Sequence, residues 1–302
     1  MLVSVIIATY NGEKYLEAQL ASIACQTYKD IEIIICDDKS TDNTAQIIQE
    51  FAQNTPHISY YINERNIGVN KNFEKGFLKA NGYYIAIADQ DDIWKPEKIE
   101  EQMQLFNKED IILVHSASAI FKNDDLPVHK TQAKGSKQMS GNDSKRLLLR
   151  NTIAGHNIIF KKKLLEHILP LPVGVYYDWW LCEVATCHGV IAVTNKVLAY
   201  QRHHNNNLTL YERTTSKQTL KEYSERKKAL GNFVTIKNLK ASDKVFIQTL
   251  INKFKTLENR NFSIPLFLFL MKNASIFFFY KTKRFPFFSF LKTAWRMSFK
   301  KQ

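Results

Sequence analysis

The residues of this chain best suited to chemistry are the carboxylates Asp89, Asp91 and Asp92, in the run DQDD that follows the apolar segment YYIAIA. Two unit charges about 4 Å apart repel by roughly 4 kcal/mol at an effective dielectric constant of about 20. Such a cluster therefore favours a bound cation. Oxygen ligands favour a hard ion, Mg²⁺ or Mn²⁺, commonly shared with a phosphate-bearing substrate. Taken alone, the run could also be a solvated acidic turn.

A second candidate is Asp178, which lies among aromatic residues in the segment YYDWW. Apolar neighbours raise the pKa of a carboxyl group and make it a better general base. The alternative is a helix cap, a common role for aspartate. The other acids between residues 150 and 205 are Glu166, in a charged segment that suits solvent, and Glu183, which suits a structural role.

The elements that must position these residues alternate between two patterns. Short β-branched apolar runs predict buried strands, and stripes at helical spacing predict helices between them. The predicted strands cover residues 3–8, 31–36, 58–63 and 83–88, and the predicted helices cover residues 13–26, 41–53, 70–80 and 96–106. This alternation predicts an α/β fold with a mainly parallel central sheet and helices on both faces.

Polar clusters follow the predicted strands. In open parallel sheets the ligand binds at the carboxyl ends of the strands, and four clusters are predicted to meet there. They are Thr9-Tyr10-Asn11, Asp37-Asp38, the segment from Asn66 to Asn70, and the segment from Asp89 to Asp92. The sequence therefore predicts one crevice that contains all four.

The charge of the chain is unevenly distributed. The 302 residues are 45% hydrophobic and 24% charged, a composition typical of folded proteins, and carry a net charge of +13. Residues 1–110 contain 18 acidic and 10 basic residues, a net charge of −8, which leaves +21 for the remainder. An acidic ligand edge disfavours nucleic acid as a partner. An anionic membrane surface suits the basic part better.

The four cysteines show no zinc-type spacing, which favours buried free thiols in a cytosolic protein. The apolar N-terminus lacks a basic region and a cleavage site, so it suits a first core strand better than a signal peptide.

The C-terminal segment, from residue 262, holds 11 of the 20 phenylalanines and no acid. Its apolar runs are shorter than the roughly 20 residues that span a bilayer. Basic residues between aromatic runs are typical of segments that lie in the membrane interface. A helical cap on the catalytic domain and a dimer interface are the alternatives. The sequence predicts a domain over residues 1–211 and a basic, aromatic-rich helical extension over residues 212–302.

Residues 1–207 resemble a family-2 glycosyltransferase of the GT-A fold, which is Rossmann-like. The resemblance depends on the segments VSVIIATYNGEKYLEAQLASI, IEIIICDDKSTDNT, NIGV and DQDDIWKPEKIE. Within the family, the DQDDIW form is similar to bacterial enzymes that assemble capsule, lipopolysaccharide or rhamnose-containing polymers. Because enzymes that glycosylate lipid-linked acceptors must reach the membrane, the basic, aromatic-rich extension and this resemblance together predict a bacterial cytoplasmic enzyme that is peripheral on the inner face of the plasma membrane.

The resemblance also implies roles for individual residues. Asp91 and His203 are expected to bind the metal, and Asp178 is expected to act as the base. His156, Trp179 and Trp180 are expected on the acceptor side, and a packed, hydrogen-bonded side chain is the alternative for His156. The residues expected to bind the nucleotide sugar are Thr9, Tyr10, Asn11, Asp38, Asn66, Asp89 and His203.

The implied reaction moves a sugar from a UDP- or dTDP-linked donor to a hydroxyl of a glycan or lipid-linked acceptor, with inversion. A nucleotidylyltransferase is one alternative, but ATYNGEKY lacks the Gly-rich phosphate loop that it would need. A non-catalytic polyanion-binding protein is the other, and only the net charge favours it.

Overall fold

The computed structural model describes residues 1–122, 125–132, 137–204, 207, 217–257, 261–282 and 286–299, with the backbone alone for 217–222. Contacts divide the chain into two compact units. The first comprises Met1–Ala133, Ile153–Leu171 and Gly189–His204, and the second comprises Lys134–Thr152, Pro172–His188 and Asn205–Gln302. The predicted domain boundary between residues 211 and 212 lies outside the described residues.

Within the described residues, the first unit contains one eight-stranded sheet. The strands are β1 (Val3–Thr9), β2 (Ile31–Asp37), β3 (Ile58–Ile62), β4 (Tyr84–Ala88), β5 (Ile93–Trp94), β6 (Ile111–Phe121), β7 (Ile158–Lys161) and β8 (Val190–Arg202). Their spatial order is β3-β2-β1-β4-β7-β6-β8-β5. The first four strands in this order pair in parallel, as do β6 and β8, whereas β7 and β5 pair antiparallel to their neighbours. The predicted mainly parallel α/β sheet is confirmed.

Successive side chains of a strand point to opposite faces of the sheet. The parallel strands therefore carry apolar side chains on both faces, and helices cover both. Val3, Val5 and Ile7 pack in a buried cluster with Leu16 and other helical residues. On the other face, Gly76 approaches Ile6 so closely that an added Cβ would clash with it. The helices of this unit are α1 (Leu16–Ala24), α2 (Thr44–Asn54), α3 (Val69–Lys79), α4 (Lys98–Met103) and α5 (Leu165–Ile168).

The second unit is helical in the parts that the structure describes, which confirms the predicted helical C-terminal region. Its helices are α6 (Tyr177–His188), α7 (Lys217–Phe233), α8 (Ala241–Lys255), α9 (Ile264–Lys272), α10 (Ala274–Phe277) and α11 (Pro286–Met297). The last helices contribute to its core, because Leu266, Leu270 and Phe277 are buried. Among the described residues, no helix has the length and apolar character that crossing a membrane requires.

Lys98, at the start of α4, is a fully buried lysine. Its Nζ donates a hydrogen bond to Gln102 Oε1 over 2.6 Å and lies 4.6 Å from the centre of the Trp94 ring. Gln102 in turn donates to the carbonyl oxygen of Asn157 over 2.7 Å. Burial lowers the pKa of Lys98 to about 7, although nearby Asp92 acts to raise it. The folded protein therefore holds this lysine largely uncharged above neutral pH.

This buried lysine predicts a specific pH dependence of stability. Between about pH 7 and pH 10.5 the unfolded chain binds the proton that folded Lys98 has lost, so the free energy of unfolding rises with pH. Lys98→Met should reduce that rise by about 1.4 kcal/mol per pH unit, the value for one proton. Urea unfolding at pH 8.5 and 9.5 measures it, with the exposed Lys108→Met as control. Equal pH slopes for parent and Lys98→Met would contradict the prediction.

Candidate active site

The carboxylate run lies at the centre of the sheet, where strand pairing changes from parallel to antiparallel. It follows β4, the last strand of the parallel half, which pairs antiparallel with β7. The next residues form β5, in which Ile93 lies opposite Tyr200 of β8. The run is therefore held between the carboxyl end of β4 and the carboxyl end of β8, the edge at which open α/β sheets bind ligands.

His156 lies on the buried side of this run. It belongs to a 3₁₀ turn, Gly155–Asn157, directly before β7, and the antiparallel pairing of β7 with β4 brings it to the carboxylates. Its Nδ1 lies 3.3 Å from Asp89 Oδ2 and 3.2 Å from Asp92 Oδ2, and its Nε2 lies 3.2 Å from Ser118 Oγ. Burial acts to lower the pKa of His156, but the carboxylates of Asp92 and Asp89 raise it above the usual value. The carboxylates of Asp89 and Asp92 thus favour the protonated form of His156.

The end of β8 and the residues after it approach the run from a second direction. His204 Nε2 lies 2.7 Å from Asp91 Oδ2. Arg202 Nε donates to the Asp91 carbonyl oxygen, and the backbone N–H of Arg202 donates to Asp92 Oδ1, both over 3.1 Å. His203 donates its backbone N–H to the Phe121 carbonyl oxygen. The imidazole at Asp91 is therefore that of His204, one residue beyond the histidine selected from the sequence.

The three carboxylates differ in exposure. The side chain of Asp89 is 39% exposed and that of Asp92 is 1% exposed, while Asp91 and His204 lie between these limits. Burial raises the pKa of Asp92 to about 8, with further raising contributions from Asp89 and Asp91 and a lowering one from His156. Burial and the charge of Asp89 also raise the pKa of Asp91, despite the hydrogen bond from His204.

These residues fit a hard divalent cation. One ligand atom each from Asp89, Asp92 and His156 lies within 4.8 Å of the others. Asp92 Oδ2 is buried and receives no hydrogen bond from the described residues, although His156 Nδ1 is only 3.2 Å away. A buried carboxylate oxygen without a donor is costly unless a positive charge compensates it. Asp91 and His204 add an oxygen and an imidazole nitrogen on the more exposed side.

The loop after β1 is fastened to the carboxylate run by Gln90. The Tyr10 N–H donates to Gln90 Oε1 over 2.8 Å, and Gln90 Nε2 donates to the Tyr10 carbonyl oxygen over 3.1 Å. A Cβ on Gly12 would lie 2.5 Å from Gln90 Oε1, so a larger residue there would displace the Gln90 amide from this position. The Tyr10 side chain is 46% exposed and available to a ligand.

Two other residues predicted to bind the nucleotide sugar also serve the loop. Thr9 is buried and its hydroxyl donates to Asp37 Oδ1 over 2.9 Å. Asn11 has a positive φ of 49°, and its Oδ1 accepts from the Thr41 N–H over 2.8 Å. Thr9 therefore joins the ends of β1 and β2, and Asn11 links the loops that follow these strands.

Asp38 is buried and satisfied largely by the protein itself. Its Oδ1 accepts from Asn63 Nδ2 and the Ile67 N–H, and its Oδ2 accepts from the Gly68 N–H, over 2.8–2.9 Å. A carboxylate offers about four acceptor positions, so roughly one is left for a ligand. Gly68 has φ +84°, which suits glycine, and the exposed Asn66 also accepts from its N–H.

The remaining predicted residues lie in the second unit. Asp178 is half-buried in the first turn of α6, and its Oδ1 accepts from the Trp179 N–H over 2.7 Å. Trp179 Nε1 donates to the Leu147 carbonyl oxygen, and the rings of Trp179 and Trp180 both pack on Phe233. The two indoles are therefore used in part for packing. The roles predicted for these residues stay predictions.

Sequence reasoning missed several residues of the site. It placed His156 on the acceptor side, whereas the structure places it beneath the carboxylates with 1% exposure. It gave no role to Gln90 or Ser118, and it left open whether Gln201 or Arg202 reaches the phosphates. His203 and His204 follow β8 directly, so the sequence offered either histidine as the one near Asp91.

A family model, Glycosyl transferase family 2, matches residues 4–169. An uncharacterized glycosyltransferase of Nostoc sp. is 29% identical over 228 residues, which cover 72% of this chain and 70% of that relative. UDP-Glc:alpha-D-GlcNAc-diphosphoundecaprenol beta-1,3-glucosyltransferase WfgD of Escherichia coli is 34% identical over 125 residues, 41% of this chain and 49% of WfgD. The putative teichuronic acid biosynthesis glycosyltransferase TuaG of Bacillus subtilis is 33% identical over 129 residues, 43% of this chain and 51% of TuaG. The matched segments thus span about half the length of WfgD and TuaG.

Solved structures share the fold. S. aureus TarS 1-349 in complex with UDP-GlcNAc has a TM-score of 0.62 and 18% identity, covering 91% of this chain and 81% of that one. The mannosyltransferase PcManGT from Pyrobaculum calidifontis, in complex with GDP-Man and Mn2+, has a TM-score of 0.60 and 16% identity, covering 96% and 78%. The predicted GT-A architecture is confirmed. Because the family match covers more than half of the 302 residues and includes the carboxylate run and His156, the chain belongs to glycosyl transferase family 2.

Proposed function

We propose that this protein is an inverting, metal-dependent glycosyltransferase of bacterial cell-surface polysaccharide synthesis. It transfers a sugar from a UDP- or dTDP-linked donor to a hydroxyl of a glycan or lipid-linked acceptor. The observation that carries the proposal is the cluster of three carboxylates and two histidines at the carboxyl ends of β4 and β8 in a family-2 chain. The names of WfgD and TuaG support the polysaccharide role, and the nucleotide sugars in the TarS and PcManGT titles support the donor class.

Asp89, Asp91 and His204 would hold Mg²⁺ or Mn²⁺ at the exposed side of the cluster, where a diphosphate has access. We assign His204 rather than His203, because the His204 imidazole lies at the Asp91 carboxylate. Asp92 and His156 form the buried floor. When bound, the ion supplies Lewis-acid stabilisation of the departing diphosphate.

The protein's own side chains do the rest. Tyr10 offers an exposed ring to the nucleotide base, and Gln90 fixes its backbone. Asp178 accepts the proton of the acceptor hydroxyl as that oxygen attacks the anomeric carbon. The C–O bond to the acceptor forms on the face opposite the breaking bond to the diphosphate, so one displacement inverts the anomeric centre.

The second unit also carries a surface suited to an anionic membrane. On α9 the exposed Ile264 and Leu268 are four residues apart and share a face, and on α11 Phe287 and Phe288 are exposed, the latter by 72%. Exposed Lys292 lies on α11 with them, and no acid follows residue 262. Aromatic residues beside lysines suit the headgroup region. We propose that this face holds the enzyme at the cytoplasmic surface of the membrane, near a lipid-linked acceptor.

The metal assignment is tested by Asp91→Ala. Loss of this carboxylate should abolish Mn²⁺-dependent binding of UDP or dTDP, because the diphosphate loses its counterion. Titration calorimetry with and without Mn²⁺ measures it. Asp110→Ala, an exposed carboxylate directly before β6, should bind like the parent. Parental binding of nucleotide and Mn²⁺ by Asp91→Ala would refute the assignment.

The base assignment is tested by Asp178→Asn. This variant should keep its fold and its binding of Mn²⁺ and nucleotide, while turnover falls about 10²–10⁴-fold, the usual value of general-base catalysis. Glu183→Gln changes a buried carboxyl group of the same helix. Comparing the turnover of the two variants separates loss of the base from a structural effect on the helix. Transfer at a near-parental rate by Asp178→Asn would move the base elsewhere. A product with retained anomeric configuration by NMR would exclude the single displacement.

The membrane surface is tested with the whole chain, because α9 and α10 contribute buried core residues and cannot be removed cleanly. The parent should co-sediment with phosphatidylglycerol vesicles, and less so at high salt. Replacing Phe287 and Phe288 together with serine should weaken this binding about tenfold or more, since each phenylalanine contributes on the order of 1.5–3 kcal/mol when fully buried. Val173→Ser, another exposed apolar site of this unit, is the control. Equal vesicle binding by the parent, the Phe287/Phe288 double variant and Val173→Ser would contradict the proposed membrane surface, as would no vesicle binding by the parent.

A further inference from the structure

Tyr15, in the loop directly before α1, contacts both side chains that β8 delivers to Asp91. Its ring centre lies 4.6 Å from the Arg202 guanidinium carbon and 4.7 Å from the centre of the His204 ring, with the two rings tilted by 36°. These distances lie in the range of cation–π and aromatic pair contacts. One ring from the β1 side of the sheet thus touches two residues from the β8 side.

Arg202 is held from its other face as well. The Phe121 ring centre lies 4.5 Å from the same guanidinium carbon, so the cation is enclosed between two rings. Arg202 is buried and also donates to the Asp91 carbonyl oxygen. Arg202 is therefore fixed by several contacts, of which Tyr15 provides one.

His204 has a different environment. It lies two residues beyond the end of β8, and its Nε2 contacts Asp91 Oδ2. A ring face packed against an imidazole restricts the rotation of that imidazole about such a contact. Tyr15 supplies such a ring face, while Phe121 contacts Arg202.

We propose that Tyr15 is a positioning residue, whose ring holds the His204 imidazole against Asp91 and so preorganises the cation site. The inference rests on the proposed metal-dependent function. It adds Tyr15, from the loop between β1 and α1, to the residues that support the metal site. The aromatic ring carries this role, since the ring makes the contacts with Arg202 and His204.

The test measures Mn²⁺ binding alone, by electron paramagnetic resonance titration of the full chain. Tyr15→Leu should weaken Mn²⁺ affinity about 10–100-fold, the usual effect of removing a group that orients a metal ligand. Tyr15→Phe, which keeps the ring, should bind like the parent. The matched control is Tyr61→Leu, because the Tyr61 ring also contacts cations, those of Lys75 and Lys79. It should leave Mn²⁺ affinity unchanged.

A double-mutant cycle shows whether Tyr15 acts through His204. In a His204→Ala background, Tyr15→Leu should weaken Mn²⁺ binding no further, because the imidazole that it positions is gone. The same loss in both backgrounds would overturn the inference, as would a loss in Tyr15→Phe equal to that in Tyr15→Leu. Thermal unfolding in EDTA verifies that each variant is folded, and Tyr15→Met is the second ringless variant should Tyr15→Leu fail to fold.

The outcomes separate the two proposals. If the parent binds no Mn²⁺ even at millimolar concentration, the proposed metal-dependent function fails, and this inference with it. If the parent binds Mn²⁺ and the ringless Tyr15 variants bind it equally well, the function stands and the role of Tyr15 is wrong.

Discussion

The structure of the site depends on one constraint, which is that three carboxylates within four residues must be kept together at the end of a central strand. The protein meets it with imidazole side chains from separate parts of the chain. His156 lies below Asp89 and Asp92, and His204 lies beside Asp91. The remaining mismatch is visible in the raised pKa of Asp92, whose buried Oδ2 lies 3.2 Å from His156 Nδ1 but accepts no hydrogen bond from the described residues. A site left short of positive charge in this way is prepared for a cation.

The sheet topology follows from the same constraint. A purely parallel sheet would bring only the loops after its strands to this edge. The antiparallel insertion of β7 beside β4 brings the residues before a strand to it, and these include His156. The short β5 then pairs with β8 and brings Arg202 and His204 to the opposite side of the run. Each reversal of strand direction thus adds a positively charged or imidazole side chain to the acidic cluster.

Local sequence patterns predicted the strands β1, β2 and β4, the helices between them and the acidic run, because buried parallel strands have a strong apolar signature. They did not predict the partners of the run. His156 reaches it through an antiparallel pairing some 70 residues distant in sequence, which local periodicity does not encode. The choice between His203 and His204 is a matter of one residue after a strand, and a shift of one residue reverses the direction of a side chain. The Tyr15 contacts depend on tertiary packing in the same way.

The hydrogen bonds that Asp38 accepts affect how the proposed donor site can be tested. Its carboxylate holds the N–H groups of Ile67 and Gly68 together with the Asn63 amide, and so determines the path of the chain between β3 and α3. Replacement of Asp38 would release that segment whether or not a nucleotide ever touches the carboxylate. Weak donor binding in an Asp38 variant would therefore be ambiguous as evidence of base recognition, and chemical variation of the base itself is the more direct probe.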